Sequence, residues 1–158
     1  MISACYFLGI TIGSYYSQST IVRVGYIRAF VIFASLMAIS ALMLGLTDSI
    51  HSWMLSRFIN GYALAALFLI IESWCLLSTD KSKRGIVFSV YLFIYYGSQS
   101  LSQLMIDIDF SQPLMAYTVI SLLCSLSIII MSFSNTKAPI GTLNSQLTAF
   151  SATILFSK

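Results

Sequence analysis

Between Arg28 and Asp48 the chain runs through Ala29–Thr47, AFVIFASLMAISALMLGLT, without a single charge. About 20 apolar residues at 1.5 Å rise are what an α-helix needs to cross a ~30 Å hydrocarbon layer. Four more stretches share this character: Met1–Ser19, Trp53–Leu77, Gly85–Ile106 and Leu114–Phe133. Among them only Trp53–Leu77 holds charges, Arg57 and Glu72. Of all residues 58% are hydrophobic and 8% charged, against roughly 25% charged in soluble chains. Mean hydropathy is +0.91. A water-soluble chain of this make-up would lack the polar surface to cover its core. In a bilayer each backbone N–H and C=O must be satisfied within its own segment, so each stretch is expected to be a helix. A β-barrel would instead show ~10-residue alternating segments. The expected fold is an all-α polytopic membrane protein with five transmembrane helices, about 1–19, 29–47, 53–77, 85–106 and 114–133, followed by a tail at 134–158.

The connecting segments predict an orientation. Thr20–Arg28 carries Arg23 and Arg28, Ser78–Arg84 carries Lys81, Lys83 and Arg84, and the tail carries Lys137 and Lys158. The alternate segments, Asp48–Ser52 and Asp107–Pro113, hold Asp48, Asp107 and Asp109 and no Lys or Arg. The positive-inside rule then places the N-terminus outside and the C-terminus in the cytoplasm. Met1–Ser19 has neither a basic leader nor a small-residue cleavage site, so it does not read as a signal peptide. Its N-out start suggests that a further helix belongs in front. In the tail, Ile140, Leu143, Leu147, Phe150 and Ile154 recur at helical spacing, the pattern of an amphipathic helix on the inner membrane surface or of a decayed reading frame that only looks periodic.

Other functions find no support in the pattern. Cys5, Cys75 and Cys124 are scattered and His51 stands alone, so neither a disulfide framework nor a metal site is indicated. No hydrolase or nucleic-acid motif occurs, and no cofactor, enzyme chemistry or nucleic acid is among the expectations. The lipid bilayer is the first partner.

Three sets of residues stand out as candidates. Glu72 is the only acid inside a span, where a carboxylate at mid-bilayer costs roughly 2.5–3.5 kcal/mol. It reads either as a gating ion pair with Arg28 or Arg84, or as a protonatable coupling site. Arg57 lies about one turn inside the opposite end of the same helix, and either snorkels or functions. Fifteen positions separate the two, about 60° around the helix, so both share a face with Gly61, Ala65 and Phe68. On the fourth span Tyr91, Tyr95, Gln99 and Gln103 recur every four residues with Tyr96 alongside, which makes one polar face. That face reads as interhelical hydrogen bonding or as the lining of a solute path. Gly9-x3-Gly13 reads as close helix packing, with Gly61 as a small residue on the third span.

Ordered motifs connect these features. Arg57-Phe-Ile-Asn-Gly61 precedes Glu72-Ser73-Trp74; Lys83-Arg84-Gly85 follows, then Tyr91-x3-Tyr95-Tyr96-Gly97 and Gln103-Leu104. The series resembles helices 4 and 5 of the major facilitator superfamily, and is similar to a bacterial inner-membrane, drug-resistance-like branch of it. Arg23-Val24-Gly25-Tyr26-Ile27-Arg28 resembles the basic segment between helices 2 and 3. The resemblance covers roughly Cys5 to Ser134 and implies that the five spans are helices 2–6, part of the six-helix N-terminal bundle of a twelve-helix carrier. It departs from the family where an acid is usual, nearest Val22, which puts the family's gating ion pair in doubt.

The resemblance implies transport of a small solute, with proton-coupled efflux as its finer form. Tyr91, Tyr95, Tyr96, Gln99 and Gln103 would line the path; Arg57 and Glu72, with Arg28 and Arg84, would gate or couple it. The alternative expectation is an inactive gene fragment, or a membrane subunit that joins a second polypeptide supplying the missing helices.

Overall fold

The computed structural model describes residues 1–80, 82–104 and 113–133, so Lys81, Asp107, Asp109 and the whole 134–158 tail lie outside the described residues. Within them the chain forms five helices: α1 (Ile2–Val24), α2 (Tyr26–Leu46), α3 (Ile50–Leu77), α4 (Arg84–Leu104) and α5 (Pro113–Phe133). Three are long and apolar enough to cross a membrane, at Tyr26–Leu46, Ile50–Cys75 and Leu114–Phe133. The expected count of five spans therefore reduces to five helices, of which three meet that criterion among the described residues. The difference lies in polarity without charge. Ser14, Tyr15, Tyr16, Ser17, Gln18 and Ser19 dilute α1, and Ser98 to Gln103 dilute α4.

The segment Thr20–Arg28, expected as a loop, is nearly all helix. Only Gly25 interrupts it, at φ +85° and ψ 159°. Its N–H donates to the Ile21 carbonyl at 2.8 Å, and its carbonyl accepts from Ala29 N–H at 2.9 Å. One residue thus closes α1 and opens α2, in a left-handed region that favours glycine. The start of α3 also lies earlier than Trp53. Ser49 caps it, its carbonyl accepting from Trp53 N–H at 3.0 Å, while the Trp53 indole N–H clips back to the Thr47 carbonyl.

Helix α3 is the hub. It runs parallel to α1, since Gly9 of α1 faces Phe58 and Tyr62, and Gly13 faces Tyr62 and Ala65. It runs antiparallel to α2, since Ser40 meets Asn60 near one end and Tyr26 meets Ser73 near the other. On its far side α2 packs against α5, where Gly45 is seated between Leu114 and Tyr117. Helix α4 touches α3 only lightly. The core joins Ile21, Tyr26, Ala29, Phe33, Ala63, Ala66 and Ile70. Alanines are completely buried at three of these positions, Ala29, Ala63 and Ala66, while Phe93 is 80% exposed and Leu122 70% exposed. Small residues inside and large apolar ones outside are the arrangement that lipid, not water, favours.

Candidate functional site

The α1–α3 crossing depends on missing side chains. A Cβ placed on Gly9 would collide with the Phe58 carbonyl oxygen, and one on Gly61 with the Tyr6 carbonyl oxygen. At Gly13 it would stand 2.7 Å from the Tyr62 carbonyl oxygen. The two backbones meet directly over these three glycines, which fixes where the remaining faces of α3 point.

One of those faces carries the charges. Gly61 and Ala65 are buried against α1, whereas Phe68, one turn on, packs edge-to-face on Tyr95 of α4 at 5.2 Å between ring centroids. Arg57 and Glu72 are both half-buried, at opposite ends of this strip. Tyr6 of α1 and Arg57 lie within electrostatic reach of each other, and Glu72 stands within reach of Tyr91 of α4 and of its own neighbour Cys75. Arg28 is exposed in the first turn of α2. Arg84 is half-buried at the start of α4, where its Nε–H donates to the Thr79 carbonyl at 3.2 Å.

The polar face of α4 divides in two. Tyr91 and Tyr95 are half-buried and stacked on each other, with centroids 6.5 Å apart and planes 25° from parallel. Phe88 lies beside them, its ring tilted 38° to that of Tyr91 with centroids 6.0 Å apart. Tyr96, Gln99 and Gln103 are exposed, and Gln99 donates to the Tyr95 hydroxyl at 3.4 Å. The division follows from the packing: among the described residues α3 is the main neighbour of α4, and Tyr95 is the α4 residue that packs on its Phe68. The structure thus brings Phe68, Tyr91 and Tyr95 together, with Glu72 one turn beyond Phe68 on α3, and leaves Arg57 about four turns from Glu72.

Two polar features escaped the sequence reading. Asn60 Nδ2 donates to Ser40 Oγ at 3.4 Å across the α2–α3 contact, and the Ser40 hydroxyl donates in turn to the Met37 carbonyl at 2.9 Å. Asn60 stood inside the Arg57–Gly61 motif, but nothing in one sequence shows which helix it meets. Ser17 and Ser56 are fully buried, and among the described residues their hydroxyls have no hydrogen-bond partner. A serine in an apolar run gives no warning of that.

No known protein family's sequence profile matches the chain, and no solved structure matches it. Individual relatives do. It is 33% identical over 107 residues to an uncharacterized MFS-type transporter of Enterobacter sp. (strain 638). Over the same length it is 32% identical to the uncharacterized MFS-type transporter YcaD of Escherichia fergusonii, and 30% identical to that of Salmonella arizonae. In each case the match covers 68% of this chain but only 28% of the relative. The resemblance drawn from the ordered motifs therefore holds: the chain's relatives are major facilitator transporters, and it spans about a quarter of their length. Such relatives are transporters, not enzymes, and with the apolar helices they make this a membrane protein.

Proposed function

Taking as premise that this chain is similar to a stretch of a major facilitator transporter, we propose that its helices are one wall of a secondary carrier for a small solute. In this reading all five helices cross the bacterial inner membrane, with the N-terminus outside and residues 134–158 in the cytoplasm. Carriers of this kind rock two bundles around a midplane site. Tyr91, Tyr95, Tyr96, Gln99 and Gln103 of α4 would form the lining, Arg57 a coupling residue, and Glu72 a gate or a proton-coupling carboxylate, with Arg28 and Arg84 at the same end. The observation that carries the reading is the Phe68–Tyr95 contact beside Glu72, which turns the polar edge of α4 toward the charged face of α3.

The test is solute extrusion by bacteria stripped of their main efflux carriers and expressing the chain, across a panel of toxic small molecules. Gln99→Leu and Gln103→Leu, matched for membrane level, are expected to reduce extrusion of any exported compound. Full extrusion in both variants would remove the lining role. A second reading rests on the 28% span and on the exposed Gln99 and Gln103. The chain would then have no transport of its own, and would be either an inactive piece or a subunit completed by a second polypeptide. Extrusion absent from the parent chain, and restored by co-expressing the remaining helices of a relative, selects that reading.

A further inference from the structure

Gly9, Gly13, Ser17 and Ile21 recur every four residues as the buried edge of α1. Tyr15, Ser19 and Arg23 each stand two positions on from one of them, about 200° around the helix, and all three are exposed. They therefore face away from the bundle. Gln18 and Val22 flank this line, and the five residues make most of the lining of a recess of about 490 Å³ whose described walls belong to α1 alone. The recess is graded along the helix. Arg23 stands at the basic end of the bundle, Gln18 and Ser19 lie roughly 6–8 Å deeper, and Tyr15 roughly 12 Å deeper. Tyr15 meets Tyr16 edge-to-face, with ring centroids 5.2 Å apart. The polar groups are rich in donors: five N–H on the guanidinium, two on the Gln18 amide, and an O–H on Ser19 and on Tyr15. From Met1 to Thr47 the chain has no carboxylate, and Arg23 and Arg28 are its only charged side chains there. The acids nearest in sequence to the same end, Glu72 and Asp80, belong to α3 and the turn that follows it.

We infer that the outward face of α1 binds an anionic phospholipid, with the phosphate at Arg23, the ester carbonyls at Gln18 and Ser19, and an acyl chain against Tyr15 and Tyr16. A guanidinium takes a phosphate through two parallel hydrogen bonds, and basic recesses at the membrane boundary attract anionic headgroups. Hydrocarbon alone would leave the Gln18 amide and the Ser19 hydroxyl without acceptors, which ester and phosphate oxygens supply. A partner helix fits less well, because its backbone acceptors are already used within it and it would have to bring a carboxylate opposite Arg23. A zwitterionic headgroup would bring an ammonium group to a helix that has no acid to receive it. The inference needs the chain to lie in a membrane and is independent of transport.

The experiment is native mass spectrometry of the full chain released from an uncharged maltoside detergent, titrated with phosphatidylglycerol or with phosphatidylcholine of the same acyl chains. The first phosphatidylglycerol adduct is expected at several-fold lower lipid concentration than the first phosphatidylcholine adduct. Arg23→Gln should weaken it on the order of fivefold and abolish the preference, while Arg23→Lys keeps most of it. Ser19→Leu, which fills the recess without changing charge, should weaken it several-fold. Lys83→Gln removes an equal charge at the same end of the bundle but not on α1, and should change little. Equal binding of the two lipids would overturn the site. So would equal losses in Arg23→Gln and Lys83→Gln, which would leave only a general attraction to the basic end. Should Arg23→Gln fail to fold, Ser19→Leu decides, and phosphatidylglycerol binding unaltered by it overturns the site. Release of the lipid by an equal concentration of inorganic phosphate would assign the recess to a free anion. Loss of the adduct on co-expressing the remaining helices of a relative would assign the face to protein, and either result overturns the lipid assignment.

Discussion

A methyl group on Gly9 has nowhere to go, because its Cβ would meet the backbone of Phe58 and that backbone cannot rotate away as a side chain could. Gly97 on α4 has nothing within 4 Å of the same position. Gly9→Ala is therefore expected to separate α1 from α3 and destabilise the fold by about 1–3 kcal/mol. Gly97→Ala should be neutral or stabilise by up to about 1 kcal/mol, because alanine is the better helix former. Thermal unfolding of the two variants in the same detergent checks the pair, and equal midpoints would show that the α1–α3 contact does not depend on glycine. The spacing of Gly9 and Gly13 was legible in the sequence. Their partner was not, because periodicity gives the face of a helix and never the helix opposite. Gly45 shows the same limit: it follows Ala41 at small-x3-small spacing, yet nothing in that spacing tells that Leu114 and Tyr117 would meet it.

At the scale of elements, α2 and α3 are joined by small residues and by polar contacts, Ser40 with Asn60 among them. Ser40 accepts from Asn60, so Ser40→Ala removes an interhelical hydrogen bond and should cost about 0.6 kcal/mol, the average for such bonds in membranes. Ser56, buried without a hydrogen-bond partner among the described residues, presents the opposite case. Removing an unsatisfied buried hydroxyl recovers its desolvation penalty, so Ser56→Ala is expected to be neutral or to stabilise by up to about 1–2 kcal/mol. Reversible unfolding in mixed micelles compares the two, and a larger loss at Ser56 than at Ser40 would place an unrecognised partner on Ser56. The helices themselves were largely legible as uncharged runs, and their ends less so. Arg23 and Arg28 marked Thr20–Arg28 as a loop, but charged residues end a helix only when the backbone has a means of turning, and here Gly25 alone supplies it. Counting charges also hid how polar α1 and α4 are, since tyrosine, serine and glutamine lower hydropathy without adding charge.

Across the whole molecule, the described basic residues near the helix ends gather on one side. Val24, Trp74 and Leu77 pack against the cluster that holds Ile21 and Tyr26, which brings the end of α1, the start of α2 and the end of α3 to one side, with the start of α4 six residues beyond Ser78. Arg23, Arg28, Lys83 and Arg84 thus share one end of the bundle, and Asp48 lies in the α2–α3 turn at the other. If the basic end faces the cytoplasm, a single cysteine at Lys83→Cys, in a chain whose Cys5, Cys75 and Cys124 are serine, should react with a membrane-impermeant maleimide only after the cells are opened. A cysteine at Asp48→Cys should react in intact cells. The reverse pattern would invert the orientation, and labelling of both in intact cells would mean that the bundle does not seal the membrane. The result also bears on α1 and α4, whose polarity is marginal for spanning alone. Asp48 and Lys83 are separated by α3, so their opposite labelling fixes α3 as a span. Adding Ser3→Cys at the start of α1 extends the same logic, because its reaction in intact cells, alongside protection of Lys83→Cys, requires α1 to cross as well. A polar helix crosses lipid when neighbouring helices cover its hydroxyls and amides, and the glycine contact that lays α1 along α3 provides that cover.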